Sequence, residues 1–251
     1  MNLAILADIH ANLEALTACL AHAERQGAQA HAFLGDLVGY GADPEACLAI
    51  IQHHAAAGAI LVRGNHDEAA LAGLGLDMNP AAREAVLWTR TRLSAAERDF
   101  LAGLPYTVER DGTLFVHASA ERPPDWEYVS DERAARRCLA ATRASLIFAG
   151  HVHHPLLFHS LREPGREGVA AFVPQTGSAI TLTPGRRWLA LAGSVGQPRD
   201  GNPAAAYLLF DTARRLLTWQ RVPYDWMSAA AKIRAAGLPE VLAQRLGEGW
   251  W

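Results

Sequence analysis

Five short apolar runs in this chain each end in a cluster of residues that can bind a metal ion. In chain order the clusters are Asp8-Ile9-His10, Asp36, Asn65-His66-Asp67, His117 and His151-Val152-His153. Short apolar runs bounded by turn residues are typical of buried β-strands. Ligands of open α/β sheets bind beyond the carboxyl ends of the strands, so we expect the five clusters to converge on one crevice.

The spacing inside the clusters supports this convergence. Side chains two positions apart on an extended segment point to the same side, so Asp8 and His10 can reach one point, as can His151 and His153. Glycine lets a backbone turn sharply and approach an ion closely. Glycines flank the clusters as Gly35, Gly39, Gly64 and Gly150.

The donor groups indicate which metals fit. The candidate ligands are carboxylates, imidazoles and an amide: Asp8, His10, Asp36, Asn65, His117, His151 and His153. A set with imidazoles and without thiolates favours manganese, iron, zinc or cobalt over a purely oxygen-ligated ion. Tetrahedral zinc takes four ligands, so this set is too rich for one ion. Two ions about 3.5–4 Å apart that share Asp36 account for every ligand and can clamp the attacking and leaving oxygens of a displacement.

Each cluster taken alone has a simpler explanation. An Asp-x-His or His-x-His pair is often a cap or a surface pair, and Gly-Asn-His-Asp suits a turn. A single buried histidine such as His117 is more often a hydrogen-bonded core residue than a ligand. Because all five clusters follow successive strand-like runs, the shared metal site is favoured over five separate explanations.

The rest of the chain predicts a protein of mixed strands and helices. Helix N-cap signals occur at Asn12, Asp43-Pro44, Asn79-Pro80 and Ser94. Asp111-Gly112 between two β-rich runs predicts a hairpin. The last third carries strand-like runs and then a helical tail, at 170–173, 188–192, 205–210, 216–222 and from 228 onward. We therefore predict a single domain over residues 1–251, with a parallel βαβ start and an antiparallel finish.

Composition narrows the function. The net charge is −3 and no stretch is strongly basic, so nucleic-acid and membrane-surface binding are not favoured. The first residues do not have the pattern of a signal peptide, and no apolar run approaches the ~20 residues of a membrane span. The three cysteines Cys19, Cys47 and Cys138 are widely spaced, as expected of reduced, buried residues. We expect a cytoplasmic protein with a small-molecule substrate, and a homo-oligomer is left open.

In order and spacing, the five clusters resemble the motif blocks of the calcineurin-like metallophosphoesterases. The matching words are Asp8-Ile9-His10, Gly35-Asp36-Leu37-Val38-Gly39, Gly64-Asn65-His66-Asp67, His117 and Gly150-His151-Val152-His153. The words GDLVGYGADPEACL and GSVGQPRDGNP are similar to the YfcE-like bacterial and archaeal phosphodiesterase branch. The resemblance implies an α/β fold: a four-layer α/β/β/α sandwich with two mixed β-sheets. The chain departs from the usual blocks at Ala7, Ala11 and Ala118, none of which is a ligand.

The same resemblance implies roles for individual residues. One ion is expected to be held by Asp8, His10, Asp36 and His153. The other is expected to be held by Asp36, Asn65, His117 and His151. Manganese is the expected metal, with iron, zinc, nickel or cobalt as alternatives. His66 is expected to protonate the leaving oxygen or stabilise its charge, while Asp67 orients the His66 imidazole.

We expect hydrolysis of small phosphodiesters or nucleotides by metal-activated hydroxide. The alternatives are a dinucleoside polyphosphate hydrolase, a phosphoprotein phosphatase, a metal-binding regulator and a non-catalytic scaffold, and the intact His66 argues against the scaffold. Trp126 and Tyr128 lie in the segment 118–130 after a ligand strand, where aromatic rings either stack on a nucleobase or pack the segment against the body. The candidate substrate contacts are Tyr40, Trp126, Tyr128 and Arg199.

Overall fold

The computed structural model describes residues 1–72, 78–161 and 168–250. Within these ranges the strands are β1 (Asn2–Leu6), β2 (Ala30–Phe33), β3 (Ile60–Leu61), β4 (Thr107–Arg110), β5 (Thr113–Val116), β6 (Leu146–Ala149), β7 (Pro155–Ser160), β8 (Val169–Phe172), β9 (Ala179–Thr181), β10 (Trp188–Ala192), β11 (Ala205–Asp211) and β12 (Leu216–Val222). The helices are α1 (Leu13–Arg25), α2 (Pro44–Ala56), α3 (Asn65–Ala72), α4 (Pro80–Arg92), α5 (Ala95–Ala102), α6 (Glu132–Ala140), α7 (Trp226–Ala235) and α8 (Glu240–Glu248), with a short 3₁₀ helix at Pro123–Asp125.

The strands form two six-stranded mixed sheets. The first has the order β3-β2-β1-β11-β12-β9, with β1, β2 and β3 parallel and the others antiparallel. This arrangement confirms the predicted parallel start and antiparallel finish. The second sheet has the order β4-β5-β6-β10-β7-β8, in which β5, β6 and β10 run parallel. The predicted hairpin at Asp111-Gly112 is confirmed, because it joins β4 to β5.

Two strands were not predicted. Strand β7 begins at Pro155, and a proline inside an apolar run indicates an edge strand or no strand. Strand β9 has three residues, which is too short to show a period of two. Both pair antiparallel with longer strands, so tertiary contacts rather than local pattern define them.

The layers follow from the alternation of side chains along the central strands. Leu6 of β1 packs with Leu16 of α1 in one apolar cluster. Leu3 and Ile5 point to the opposite face and pack with Phe148 of β6, between the two sheets. A third cluster places α6 against the outer face of the second sheet through Ala135, Cys138, Ile147 and Leu189. Helices, sheet, sheet and helix are therefore stacked in the expected four layers.

The predicted helix caps are confirmed with one correction. The Asn12 side chain accepts a hydrogen bond from Ala15 N at 3.1 Å, and Ser94 forms a capping box with Glu97. Asp43 precedes α2 but does not cap it with its side chain. Its carboxylate instead lies 2.9 Å from Lys232 Nζ of α7, because a partly buried ammonium group offers a stronger partner than a backbone N–H.

The topology brings five strand ends to one edge of the sandwich. Strands β1, β2 and β3 run parallel in the first sheet, and β5 and β6 run parallel in the second. His151 N, after β6, donates to the carboxylate of Asp8, after β1, so the carboxyl ends of both sets lie on the same side. Helices α7 and α8 pack near this edge through an apolar cluster that includes Tyr40, Ile233, Leu242 and Leu246. Over the described ranges, no helix combines the length and the apolar character needed to cross a bilayer.

Candidate metal centre

Four side chains form the first group of candidate ligands. The ligand atoms of Asp8, His10, Asp36 and His153 all lie within 4.8 Å of one another. His10 Nε2 is 3.1 Å from His153 Nε2 and 3.6 Å from Asp36 Oδ2. Asp8 Oδ1 is 3.2 Å from His153 Nε2. All four residues are buried, so their donor atoms face each other rather than solvent.

A second group lies on the other side of Asp36. The ligand atoms of Asp36, His117 and His151 lie within 4.8 Å of one another. His117 Nε2 is 3.2 Å from His151 Nδ1, 3.1 Å from Asn65 Oδ1 and 3.5 Å from Asp36 Oδ2. The Oδ2 atom of Asp36 is therefore shared between the two groups.

The spacing of the donor atoms fits bound cations. Ligand atoms held about 2.1 Å from one ion lie about 3.0–3.4 Å apart for octahedral to tetrahedral angles. The pairs His10–His153, His117–His151 and Asp8–His153, at 3.1, 3.2 and 3.2 Å, have this separation. Two imidazole nitrogens that face each other at this distance in a buried site are well matched by a shared ion.

The backbone at the ligands is strained. Asp8, His10, Asp36, His151 and His153 all have φ between 49° and 66°, in the left-handed region. A residue other than glycine in this region costs on the order of 1–3 kcal/mol and such residues cluster at functional sites. The turns that follow β1, β2 and β6 therefore point the candidate ligands toward one another. Their backbone conformation costs stability, and the surrounding packing offsets this cost.

Hydrogen bonds fix two of the imidazoles. His117 Nδ1 donates to Leu34 O at 2.7 Å, and His153 Nδ1 donates to Gln197 O at 2.6 Å. A carbonyl oxygen only accepts, so both rings carry their proton on Nδ1 and direct the Nε2 lone pair toward the ligand groups. Such a bond to the distal nitrogen is the usual way in which a protein orients a metal-binding histidine.

Burial and neighbouring charges shift the pKa values in the site. Burial lowers the pKa of His151 to about 3 and that of His10 well below its usual value, which leaves the neutral imidazoles that metals require. Burial opposes ionisation of Asp36, but the nearby His117 holds the pKa of that carboxyl well below its usual range. Burial also disfavours a charged His117, yet the carboxylate of Asp36 raises its pKa to about 9, so a metal ion that binds Nε2 would have to displace a proton from it.

The contacts of Asp67 correct one expectation. Its carboxylate accepts hydrogen bonds from the backbone N–H groups of Leu37 at 2.8 Å, Val38 at 3.2 Å and Gly64 at 2.9 Å. Within the described ranges, no hydrogen bond joins Asp67 to the His66 imidazole. The carboxylate is satisfied by three backbone donors, so it holds two ligand loops together instead of orienting the ring.

His66 lies beside the ligand groups. It is the second residue of α3, and its backbone N–H donates to Asp36 Oδ1 at 2.8 Å. Its ring centroid is 4.8 Å from that of His10 and 4.4 Å from that of Tyr40. Burial lowers the pKa of His66 to about 4, so the imidazole is neutral at pH 7.

The four candidate substrate contacts occupy different environments. Tyr128 is half exposed, and its ring is stacked on His151 with centroids 4.0 Å apart. Trp126 is half-buried, and its ring is nearly perpendicular to that of His117, with centroids 5.7 Å apart. Tyr40 and Arg199 are both buried, and Arg199 Nη2 donates to the Tyr40 hydroxyl at 3.2 Å.

Sequence reasoning singled out Arg199 in the segment that follows β10 but missed the roles of Ser194, Gly196 and Gln197. Ser194 Oγ donates to Asp8 O at 2.9 Å, and Gln197 N donates to Ser194 Oγ at 2.8 Å. The carbonyl of Gln197 is the acceptor for His153, and that of Gly196 accepts from Asn12 Nδ2 at 2.9 Å. Most of these contacts use backbone atoms, which leave no signal in residue type. The only signal was the word GSVGQPRDGNP, noted for its resemblance.

Gly150→Ala is expected to damage the first ligand group. A Cβ at Gly150 would lie 2.7 Å from Asp8 Oδ2, closer than real side chains pack. Overpacking of this kind costs about 1–3 kcal/mol, and here the strain falls on a ligand. We expect a lower melting temperature and weaker metal binding by calorimetry. Gly103→Ala, whose Cβ has only ordinary contacts, is the control. Unchanged metal affinity in Gly150→Ala would show that the turn is not tightly packed on Asp8.

The fold and the site together define the class of this protein. A two-sheet α/β sandwich with histidines and carboxylates at the ends of its parallel strands is a metal-binding scaffold of the phosphoesterase type. The chain belongs to the calcineurin-like phosphoesterase superfamily, because the model of that domain matches residues 1–215. It is therefore a phosphoesterase, a hydrolase.

Similar proteins are found in other organisms. The crystal structure of a metallophosphoesterase from Sphaerobacter thermophilus is 38% identical, covers 99% of both chains and superposes with a TM-score of 0.86. The uncharacterized protein MJ0912 of Methanocaldococcus jannaschii is 35% identical over 97% of this chain and 96% of its own. The hypothetical protein PH1004 of Pyrococcus horikoshii shares the fold, with 21% identity, a TM-score of 0.78 and coverage of 99% and 98%.

Proposed function

We propose that this phosphoesterase uses two metal ions to hydrolyse small phosphodiesters or nucleotides. The observation that best supports this proposal is the position of Asp36. Its Oδ2 atom is 3.6 Å from His10 Nε2 and 3.5 Å from His117 Nε2. One carboxylate thus reaches both ligand groups, which is the arrangement that a bridged pair of ions requires.

Each ligand group would hold one ion. Asp8, His10, Asp36 and His153 would hold the first. Asp36, Asn65, His117 and His151 would hold the second. The mixed imidazole and oxygen donors suit manganese, with iron, zinc, nickel and cobalt as alternatives. When bound, the ions supply an activated water near neutral pH and neutralise charge on the phosphate oxygens.

His66 would act on the leaving group. It lies within contact of the ligand His10 but belongs to neither ligand group. Because its neutral imidazole carries one N–H, it can donate to the leaving oxygen while negative charge develops there. A donor fixed in a buried site stabilises such charge more strongly than water does, since it needs no reorientation during the reaction.

Tyr128 and Trp126 would contact the organic part of the substrate. Tyr128 covers His151 with one face of its ring and is half exposed. It lines a cavity of about 430 Å³ together with Ser130, Val152 and His154. An aromatic ring next to a metal site can stack on a nucleobase, and this favours nucleotides among the proposed substrates. The contacts of Tyr40 and Arg199 favour a different role, argued below.

Location and domain organisation belong to the same proposal. The cysteines Cys19, Cys47 and Cys138 are buried and unpaired, which supports a reducing compartment such as the cytoplasm. Strand β1 pairs with β11, so the two ends of the chain share one sheet. This pairing supports a single domain over residues 1–251.

A hydrolysis screen tests the proposal. The purified chain would be stripped with a chelator, supplied with manganese, and given a phosphomonoester, a phosphodiester, a cyclic nucleotide, a dinucleoside tetraphosphate and a phosphopeptide. We expect the phosphodiester or nucleotide to be hydrolysed fastest, with activity lost on chelation and restored by manganese. Preference for the tetraphosphate or the phosphopeptide would favour the alternative hydrolases. Absence of turnover on every substrate would contradict the proposal and favour a metal-binding regulator.

A further inference from the structure

The His66 ring lacks the kind of hydrogen bond that fixes the rings of His117 and His153. Nδ1 of His117 and of His153 each donate to a backbone carbonyl. Nδ1 of His66 is buried, and no described residue forms a hydrogen bond with it. Asp67, the expected partner, is occupied by backbone N–H groups. Packing must therefore set the direction of this ring.

Tyr40 packs directly against the His66 ring. Its ring centroid is 4.4 Å from that of His66 and 4.5 Å from that of His10, so it fills the corner between them. On the other side, a Cβ at Gly39 would lie 2.5 Å from His66 Nδ1. The His66 imidazole is thus confined between the Tyr40 ring and the backbone of Gly39. Tyr40 adopts this position with φ of 60°, a strained conformation for a bulky residue.

Arg199 fixes the Tyr40 ring in turn. Its Nη2 donates to the Tyr40 hydroxyl at 3.2 Å and to Gln197 Oε1 at 3.1 Å. Its guanidinium carbon lies 5.7 Å from the Tyr40 ring centroid, within range of a cation–π contact. Gln197 also accepts the hydrogen bond from His153, so the same segment orients a metal ligand and anchors Tyr40.

The C-terminal helices complete the support. Ile233 of α7 and Leu242 and Leu246 of α8 pack in one apolar cluster with Tyr40. These residues lie beyond residues 1–215, the part of the chain that the family model matches. The apolar residues that pack with Tyr40 therefore include residues of the C-terminal helices α7 and α8, which lie outside the five motif clusters.

We infer that Tyr40, anchored by Arg199, is a positioning residue that holds the His66 imidazole toward the leaving group. This inference rests on the proposed function of His66. Without the aromatic ring, the imidazole can rotate into the space that Tyr40 occupies, and fewer molecules present its N–H to the leaving oxygen. A misplacement of about 1 Å can cost about 10²-fold in rate.

Tyr40→Leu and Tyr40→Phe test the inference in the manganese-loaded full chain. Turnover would be compared for two phosphodiesters that differ only in the leaving group, an alkoxide and a nitrophenolate. For Tyr40→Leu we expect kcat to fall about 10- to 100-fold with the alkyl ester, and less than about threefold with the nitrophenyl ester, because nitrophenolate needs little assistance. KM and metal content should stay near wild type. Tyr40→Phe keeps the ring and should recover most of the rate.

Tyr224→Phe is the matched control. Tyr224 is partly buried, and its hydroxyl accepts a hydrogen bond from Asn12 Nδ2 at 3.2 Å. This control removes one hydrogen bond of a tyrosine hydroxyl, as Tyr40→Phe does, but at a position that does not contact His66. It should leave the ratio of the two turnover rates unchanged.

A second readout does not depend on turnover. In the full chain without added metal, the ring NMR signals of His66, assigned with His66→Asn, should shift and broaden in Tyr40→Leu but not in Tyr224→Phe. The inference is overturned if the His66 signals are unchanged in Tyr40→Leu, or if kcat falls equally for the two esters. It is also overturned if only KM rises, because Tyr40 would then be a substrate contact. A wild-type chain without turnover would contradict the proposed function, while the NMR result would still report on the packing of His66.

Discussion

Asp36→Asn is expected to abolish tight binding of both metal ions and to lower kcat by at least about 10³-fold. The Oδ2 atom of Asp36 is the only described carboxylate oxygen that belongs to both ligand groups. An amide keeps the shape of the side chain but loses the negative charge that two cations share. Metal per chain after dialysis, measured by mass spectrometry, and kcat on the best substrate of the screen test this prediction together.

The control for Asp36→Asn is Asp43→Asn. Asp43 is a partly buried carboxylate that pairs with Lys232 and belongs to neither ligand group. Circular dichroism would establish that both variants are folded. The prediction would be wrong if Asp36→Asn kept two ions per chain, or if its kcat stayed within tenfold of wild type.

His66→Asn is expected to lower kcat by about 10²- to 10⁴-fold with an alkyl ester while metal content stays the same. His66 contacts the ligand His10 but contributes no atom to either ligand group, so the two effects can be separated. A nitrophenyl ester should be affected much less, because its leaving group is already a weak base. Steady-state kinetics on both esters, with metal analysis of the same samples, test this.

The control for His66→Asn is His22→Asn. His22 lies in α1 and its Nδ1 is 2.8 Å from the hydroxyl of Tyr207, away from the ligands. It should keep wild-type rates on both esters. Wild-type turnover of the alkyl ester by His66→Asn would remove the histidine from the proposed mechanism.

The sequence predicted the gathering of the ligands, but the local geometry differs from the expectation. Asp8 and His10 were expected to align on an extended segment. Strand β1 ends at Leu6, and both ligands have left-handed φ values of 54° and 50°. His151 and His153 follow β6 in the same way. The convergence was predictable because it depends on strand direction, whereas the turn conformation depends on packing between two sheets.

Contacts between distant parts of the chain could not be predicted. The resemblance assigned Asp67 to His66, but the Asp67 carboxylate accepts hydrogen bonds from N–H groups of another loop, at Leu37 and Val38. The pair of Tyr40 and Arg199 is separated by 159 residues. Residue type and spacing do not predict such contacts, because the contacts form only when both sheets and the C-terminal helices are assembled.

The shared role of Asp36 is tested most directly by anomalous X-ray scattering from crystals grown with excess manganese. We predict two manganese peaks about 3.5–4 Å apart in each chain, with Oδ2 of Asp36 between them. His10 and His153 should lie at one ion, and His117 and His151 at the other. A single peak, or two peaks of which only one is in contact with Asp36, would contradict the two-metal site.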